Sequence, residues 1–161
     1  MLPLLLAIGV TLLDQAIKVL IIGHFHLYES VPVVPGVFDL RYIQNTGAAW
    51  GIFAGGHYWL AALSVAVLAA LVYFRKLFFN GKRIDGISFG LMIGGIVGNF
   101  IDRVRLNYVV DFLDFHWGAH HFPAFNVADA AICCGVGLYL LSQALQARLP
   151  HGGVAPGGGA R

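Results

Sequence analysis

Ile84-Asp-Gly-Ile-Ser-Phe-Gly-Leu-Met-Ile-Gly-Gly-Ile-Val-Gly-Asn-Phe-Ile101 is apolar almost throughout and long enough to cross a bilayer as a helix. Within it Gly86, Gly90, Gly94 and Gly98 recur every fourth residue. At about 100° per residue such positions form one nearly straight ridge along a helix. Another backbone can approach that ridge closely, which is how helices pack in lipid, and this reading suits the first three glycines. Gly98, beside Asn99, also leaves room for something bound.

Three further stretches have the same character: Leu2 to Ile22, His57 to Phe74 and Pro123 to Leu145. The predicted fold is therefore an all-α membrane protein with four transmembrane helices. Composition agrees. Of 161 residues 58% are hydrophobic and only 11% charged, with a mean hydropathy of +0.77, which leaves too little polar surface for a soluble domain. Residues 1–147 read as a single domain, and the Gly-rich tail 148–161 has no apolar face to bury and is expected to be disordered. The first stretch carries Asp14 and Lys18, has no basic leader and no small-x-small cleavage site, so it reads as a retained span and not a signal peptide.

Basic residues set the expected orientation. Arg75, Lys76, Lys82, Arg83, Arg148 and Arg161 fall on one side, against Arg41, Arg103 and Arg105 on the other, which puts both termini inside. The linkers from His24 to Gly56 and from Val104 to Phe122 then face outside. In the first of them Phe38, Leu40 and Tyr42 alternate with Asp39 and Arg41, so Val37 to Ile43 is expected to be a half-buried strand of a small sheet on the outer face. Cys133 and Cys134 are adjacent, which disfavours a disulfide between them, and they read as core packing. A net charge of +2 points to no nucleic-acid partner.

The polar residues inside this apolar frame are the informative ones, because ionisable groups at membrane depth are costly and usually functional. Asp14 and Lys18 share a helix face as a self-neutralising pair or as support for a polar site. Asn99, Asp102 and Arg103 share another, as do Asn126 and Asp129. Asp111 can fold back to the same level, with Asp114 as an alternative carboxylate that is expected to be exposed. Asp14 lies about 12 Å below the outer end of its helix, so these groups converge in the outer half, and nothing comparable is read near the inside. His116, His120 and His121 invite a metal reading, but a wet interface suits His, and no Cys/His spacing supports a site; no metal and no cofactor are expected.

Asp14-Gln-Ala-Ile-Lys18, Asn45-Thr-Gly-Ala-Ala-Trp-Gly51, Gly94-Gly-Ile-Val-Gly-Asn-Phe-Ile-Asp-Arg103, Val109-Val-Asp-Phe112 and Phe125-Asn-Val-Ala-Asp129 together resemble the bacterial lipoprotein signal peptidases, the signal peptidase II family. Five motifs in order are specific where each alone is weak. The resemblance implies an aspartic endopeptidase of the inner membrane that removes the signal peptide from diacylglyceryl-modified prolipoproteins, cutting before the lipidated cysteine. It implies Asp111 and Asp129 as the catalytic pair, with Asp14, Lys18, Asn45, Gly95, Asn99, Asp102, Arg103 and Asn126 binding substrate or supporting the site. It also implies an extracytoplasmic β-cradle, contact with membrane lipid, sensitivity to the cyclic peptide globomycin, and a monomer. Trp50 stands where the family is expected to have Phe, and the charged leader common in the family is not seen before the first span, which leaves orientation to the inside linker.

Two other readings stay open on the residues alone. A proton-coupled carrier would show an inverted repeat and polar groups through the full thickness. An assembly subunit would use the glycine ridge to pack a partner and would tolerate loss of both aspartates.

Overall fold

The computed structural model describes residues 1–47, 57–78 and 82–147. Trp50, most of the Asn45 to Gly51 motif and the tail 148–161 lie outside the described residues.

α1 (Leu2–His24) starts on Pro3, whose missing N–H costs nothing in a first turn. α4 (Arg83–Leu106) is the central helix, packed against α1, against α5 (Val127–Ala147) and against α2 (His57–Tyr73). A short turn of helix, α3 (Arg75–Phe78), follows α2. α1, α4 and α5 are long and apolar enough to cross a membrane, while α2 is apolar but shorter. Leu4, Leu12, Leu63 and Leu140 point outward from these helices, as lipid-facing side chains do.

The glycine ridge works as packing. A side chain at Gly90 or Gly94 would collide with the α1 backbone at Pro3 or Ala7, and one at Gly98 would strike the Asp14 carboxylate. The space beside Asn99 is thus filled from within the protein. On the other side of α4, Gly95 meets Ala128 and Ile132 of α5. Backbones this close exclude lipid and bring the polar side chains of three helices within reach of one another.

Strands β1 (Ser30–Val34), β2 (Phe38–Asn45), β3 (Val109–Trp117) and β4 (His120–His121) form an antiparallel sheet in that order. The expected strand at Val37 to Ile43 is β2, running slightly further. Its register against β3 shifts by one residue between Leu40 and Ile43, where Leu40 faces Leu113 but Ile43 faces Asp111. Ile21, Tyr42, Val110 and Phe112 form the core that joins the sheet to the end of α1.

Three expectations need correction. Asp114 is buried, because His121 of β4, with Nδ1 2.9 Å away, and Arg41 of β2, 3.5 Å away, close over it from the two neighbouring strands. Cys133 and Cys134 are exposed on α5, since the inner face of that helix is taken by Ala128, Ala131 and Gly135. A polar group also lies at the far end of the bundle: Asp85, fully covered, accepts a hydrogen bond from Ser142 at 2.8 Å. Asp85 is about 21 Å along α4 from Asn99, and Phe89 and Met92 pack in the interval.

Candidate active site

The last helix does not start at Pro123, as its apolar run suggests, because Phe125 pairs with Leu113 of β3. Asn126 then takes the N-cap. Its Oδ1 accepts the Asp129 N–H at 2.9 Å, and Asp129 Oδ2 accepts the Asn126 N–H at 3.3 Å, a reciprocal capping box. A third orphan donor, the Ala128 N–H, is taken by Asp14 Oδ1 of α1 at 2.9 Å. Asp129 therefore sits in the first turn of α5, where a carboxylate is favoured by the helix dipole.

Asp111 reaches the same place from the sheet. Asp111 and Asp114 are three residues apart on β3, so they point to opposite faces. Of the two, Asp111 is the one that lines the cavity described below. Asn45 of β2 is diagonal to Asp111 and donates Nδ2 to its Oδ2 at 2.9 Å, while Asn126 Nδ2 donates to its Oδ1 at 2.7 Å. Burial, then the charge of Asp129, pushes the Asp111 carboxyl up to about 7.

Asn99 of α4 donates Nδ2 to Asp129 Oδ1 at 2.7 Å. Behind it Lys18 bridges Asp14 and Asp102, both at 2.8 Å, so the expected two-residue pair is a triad. Asp102 is buried; it also accepts the Val110 N–H at 3.1 Å, tying α4 to the residue beside Asp111.

A cavity of about 770 Å³ opens in front of the two aspartates. Asn45, Asn99, Arg103, Asp111 and Asp129 line it, together with apolar Ile43, Val109, Phe122, Phe125 and Ile132. Asp14, Lys18, Gly95, Asp102 and Asn126 stand behind that wall and hold it. Chemically this is a mostly apolar cleft with two carboxylates, a guanidinium and amide donors at one spot, suited to acid/base attack on a carbonyl held beside an apolar chain.

His116 and His121 do other work. His116 binds Asp39 at 3.2 Å and stacks on His121, which binds Asp114; no cluster suited to a metal ion occurs among the described residues. Sequence reasoning missed Gln15, whose Nε2 donates to Asp102 Oδ1 at 2.8 Å and to the Gly98 carbonyl at 3.1 Å. Its spacing from Thr11 and Lys18, on one helix face, was the available signal.

The family model described as signal peptidase (SPase) II matches residues 6–145. The lipoprotein signal peptidase of Geobacter metallireducens is 47% identical over 133 residues, covering 80% of this chain and 82% of that protein. That of Syntrophotalea carbinolica is 47% identical, covering 87% and 89%, and that of Bacillus subtilis 37% identical, covering 90% and 94%. A bacterial membrane enzyme solved by the in meso method at 2.3 Å resolution superposes with a TM-score of 0.84 at 31% identity, over 96% of this chain and 94% of that one. A second, solved at 1.9 Å, gives 0.76 at 34% identity, over 88% and 91%. Its apolar helices and these relatives make it a bacterial membrane protein, and the chain belongs to the signal peptidase II family.

Proposed function

We propose that this protein is an aspartic endopeptidase that removes the signal peptide from diacylglyceryl-modified prolipoproteins by cleaving before the lipidated cysteine. Asp111 and Asp129 are the catalytic residues. The observation that carries this reading is that both carboxylates face one cavity, each with asparagine amide hydrogens on its oxygens.

Close carboxylates in a desolvated site retain one proton between them, and they titrate as a unit. The ionised member takes a proton from water as the water oxygen attacks the scissile carbonyl. The protonated member donates to that carbonyl oxygen, and protonation of the leaving amine then releases the two peptide halves. Arg103, with Nη1 3.4 Å from the Asn99 carbonyl and its guanidinium in the cavity wall, supplies positive charge for the developing oxyanion. Asn45, Asn99 and Asn126 hold the aspartates, Gly95 lets α5 approach α4, and Asp14, Lys18 and Asp102 support them from behind.

In this reading residues 1–147 act as one domain and one monomer in the inner membrane, with α2 as the fourth span. Both termini are cytoplasmic, and the sheet is the extracytoplasmic cradle, which puts the cavity at the periplasmic side beside the acyl chains of the substrate. The basic residues Arg75 and Lys76 of α3, with Lys82 and Arg83 after it, support that orientation. A globomycin-type cyclic peptide then occupies the same cavity, and calorimetric titration is expected to show binding.

The deciding experiment is cleavage of purified diacylglyceryl prolipoprotein, with the unlipidated form beside it. Asp111→Asn and Asp129→Asn are each expected to abolish cleavage while the protein still purifies folded. Full activity of either variant overturns the assignment.

A further inference from the structure

Three asparagine amides face the carboxylate pair, and each could be turned either way round. One end attracts a carboxylate and the other repels it, so something must fix the polarity. For Asn45 the carbonyl oxygen is held by the Gly47 N–H at 2.9 Å. For Asn126 it is held by the Asp129 N–H at 2.9 Å. Both are backbone donors supplied by a local turn or cap, and neither can act as an acceptor.

Asn99 has no such neighbour. It lies inside α4, where backbone N–H groups are committed to the helix ladder. Its Oδ1 instead meets Lys18 Nζ of α1 at 2.9 Å. That ammonium has three hydrogens and three acceptors, Asp14 Oδ2, Asp102 Oδ2 and Asn99 Oδ1, at 2.8, 2.8 and 2.9 Å. It is saturated, so it cannot pivot, and it can only donate. Asn126 Nδ2, whose other hydrogen goes to Asp111 at 2.7 Å, gives Asn99 Oδ1 a longer second contact at 3.2 Å, so the short charge-assisted bond from Lys18 is the stronger of the two holds.

We infer that Lys18 is a positioning residue for peptide cleavage: by holding the Asn99 carbonyl it turns the Asn99 amide hydrogens onto Asp129 and keeps that carboxylate in its reactive place. The inference rests on the peptidase reading above and gives a specific task to a supporting residue that touches neither substrate nor the reacting carboxylates. Asp14 and Asp102 have their own part in it, since they fix where the ammonium stands.

The test is steady-state cleavage of diacylglyceryl prolipoprotein, with kcat and KM separated and folding followed by thermal denaturation. Lys18→Gln replaces a donor-only group by an amide that can present either end. It is expected to lower kcat by about 100-fold, the scale of a misplaced catalytic group, with KM little changed. Lys18→Arg, which also only donates, is expected to recover at least about tenfold of that loss. In an Asn99→Ala background, Lys18→Gln is expected to cost almost nothing more, because the amide it acts through is gone. Should Lys18→Gln not fold, Lys18→Met combined with Asp102→Asn keeps the net charge of the cluster and takes its place under the same expectations.

A wild-type kcat in Lys18→Gln overturns the inference, and so does the same full loss repeated in the Asn99→Ala background, which marks a purely structural residue. Failure of the wild-type protein to cleave the substrate sinks the peptidase reading itself. Wild-type cleavage with an indifferent Lys18 sinks only the positioning role.

Discussion

Asn126 and Asp129 cap one another at the start of α5, and the same Asn126 side chain extends its amide hydrogens to Asp111. One residue thus starts the helix and links the two carboxylates. The two jobs are separable. Asn126→Ser keeps an N-cap oxygen but removes the amide donor, so it is expected to stay folded and lose about 10²- to 10³-fold in kcat. Kinetics of the purified variant on diacylglyceryl prolipoprotein check this.

Asp111 carries the expected pH dependence. Burial and the neighbouring Asp129 raise its carboxyl from the ordinary 3.8 to about 7. Its proton is therefore bound more tightly folded than unfolded. The stability linked to it is present below the ordinary carboxylate range and lost as pH rises through about 7. Thermal midpoints of the wild type are expected to fall over that interval, and those of Asp111→Asn to stay flatter. The alkaline limb of kcat/KM is expected near the same pH, where the pair gives up its shared proton.

Gly95→Ala tests the α4–α5 approach. A new methyl group would meet the Ala128 carbonyl and, at 2.7 Å, Ile132 Cγ1. Overpacking of this kind costs about 1–3 kcal/mol and displaces the first turn of α5, so both the thermal midpoint and kcat are expected to drop. Gly9→Ala, with nothing within 4 Å of the added atom, is the matched control and is expected to change neither.

The buried contact of Asp85 and Ser142 lies at the end of α4 remote from the cavity. Ser142→Ala removes one hydrogen bond to the buried Asp85 carboxylate and is expected to cost about 1 kcal/mol of stability. Cleavage at permissive temperature is expected to be unchanged, which paired denaturation and kinetic measurements would show.

Much of this architecture could be read from residues alone, for identifiable reasons. Long apolar runs mark α1, α4 and α5, and i, i+3 spacing puts Asn126 with Asp129 and Asn99 with Asp102. β2 announced itself because one face is polar. β3 did not: Val109 to Phe112 are buried on both faces, so the period of two vanishes from the sequence. Losing that strand also hid why Asp111 and Asp114 part company. The start of α5 was placed too early because Pro123 to Phe125 are apolar for the sake of the cavity and of β3, not of a helix. Asp114 looked exposed because Arg41 is remote in sequence and the short β3–β4 pairing that brings His121 back over it leaves no periodic signal.

Asp14 accepts the Ala128 N–H across the bundle, so the opening turn of the last helix is completed by a side chain from the first. During synthesis α1 emerges long before α5 exists, and that carboxylate waits without its final partner. The proposed catalytic pair can therefore form only when the first and last helices meet, and a chain truncated before α5, which lacks Asp129, is expected to cleave nothing.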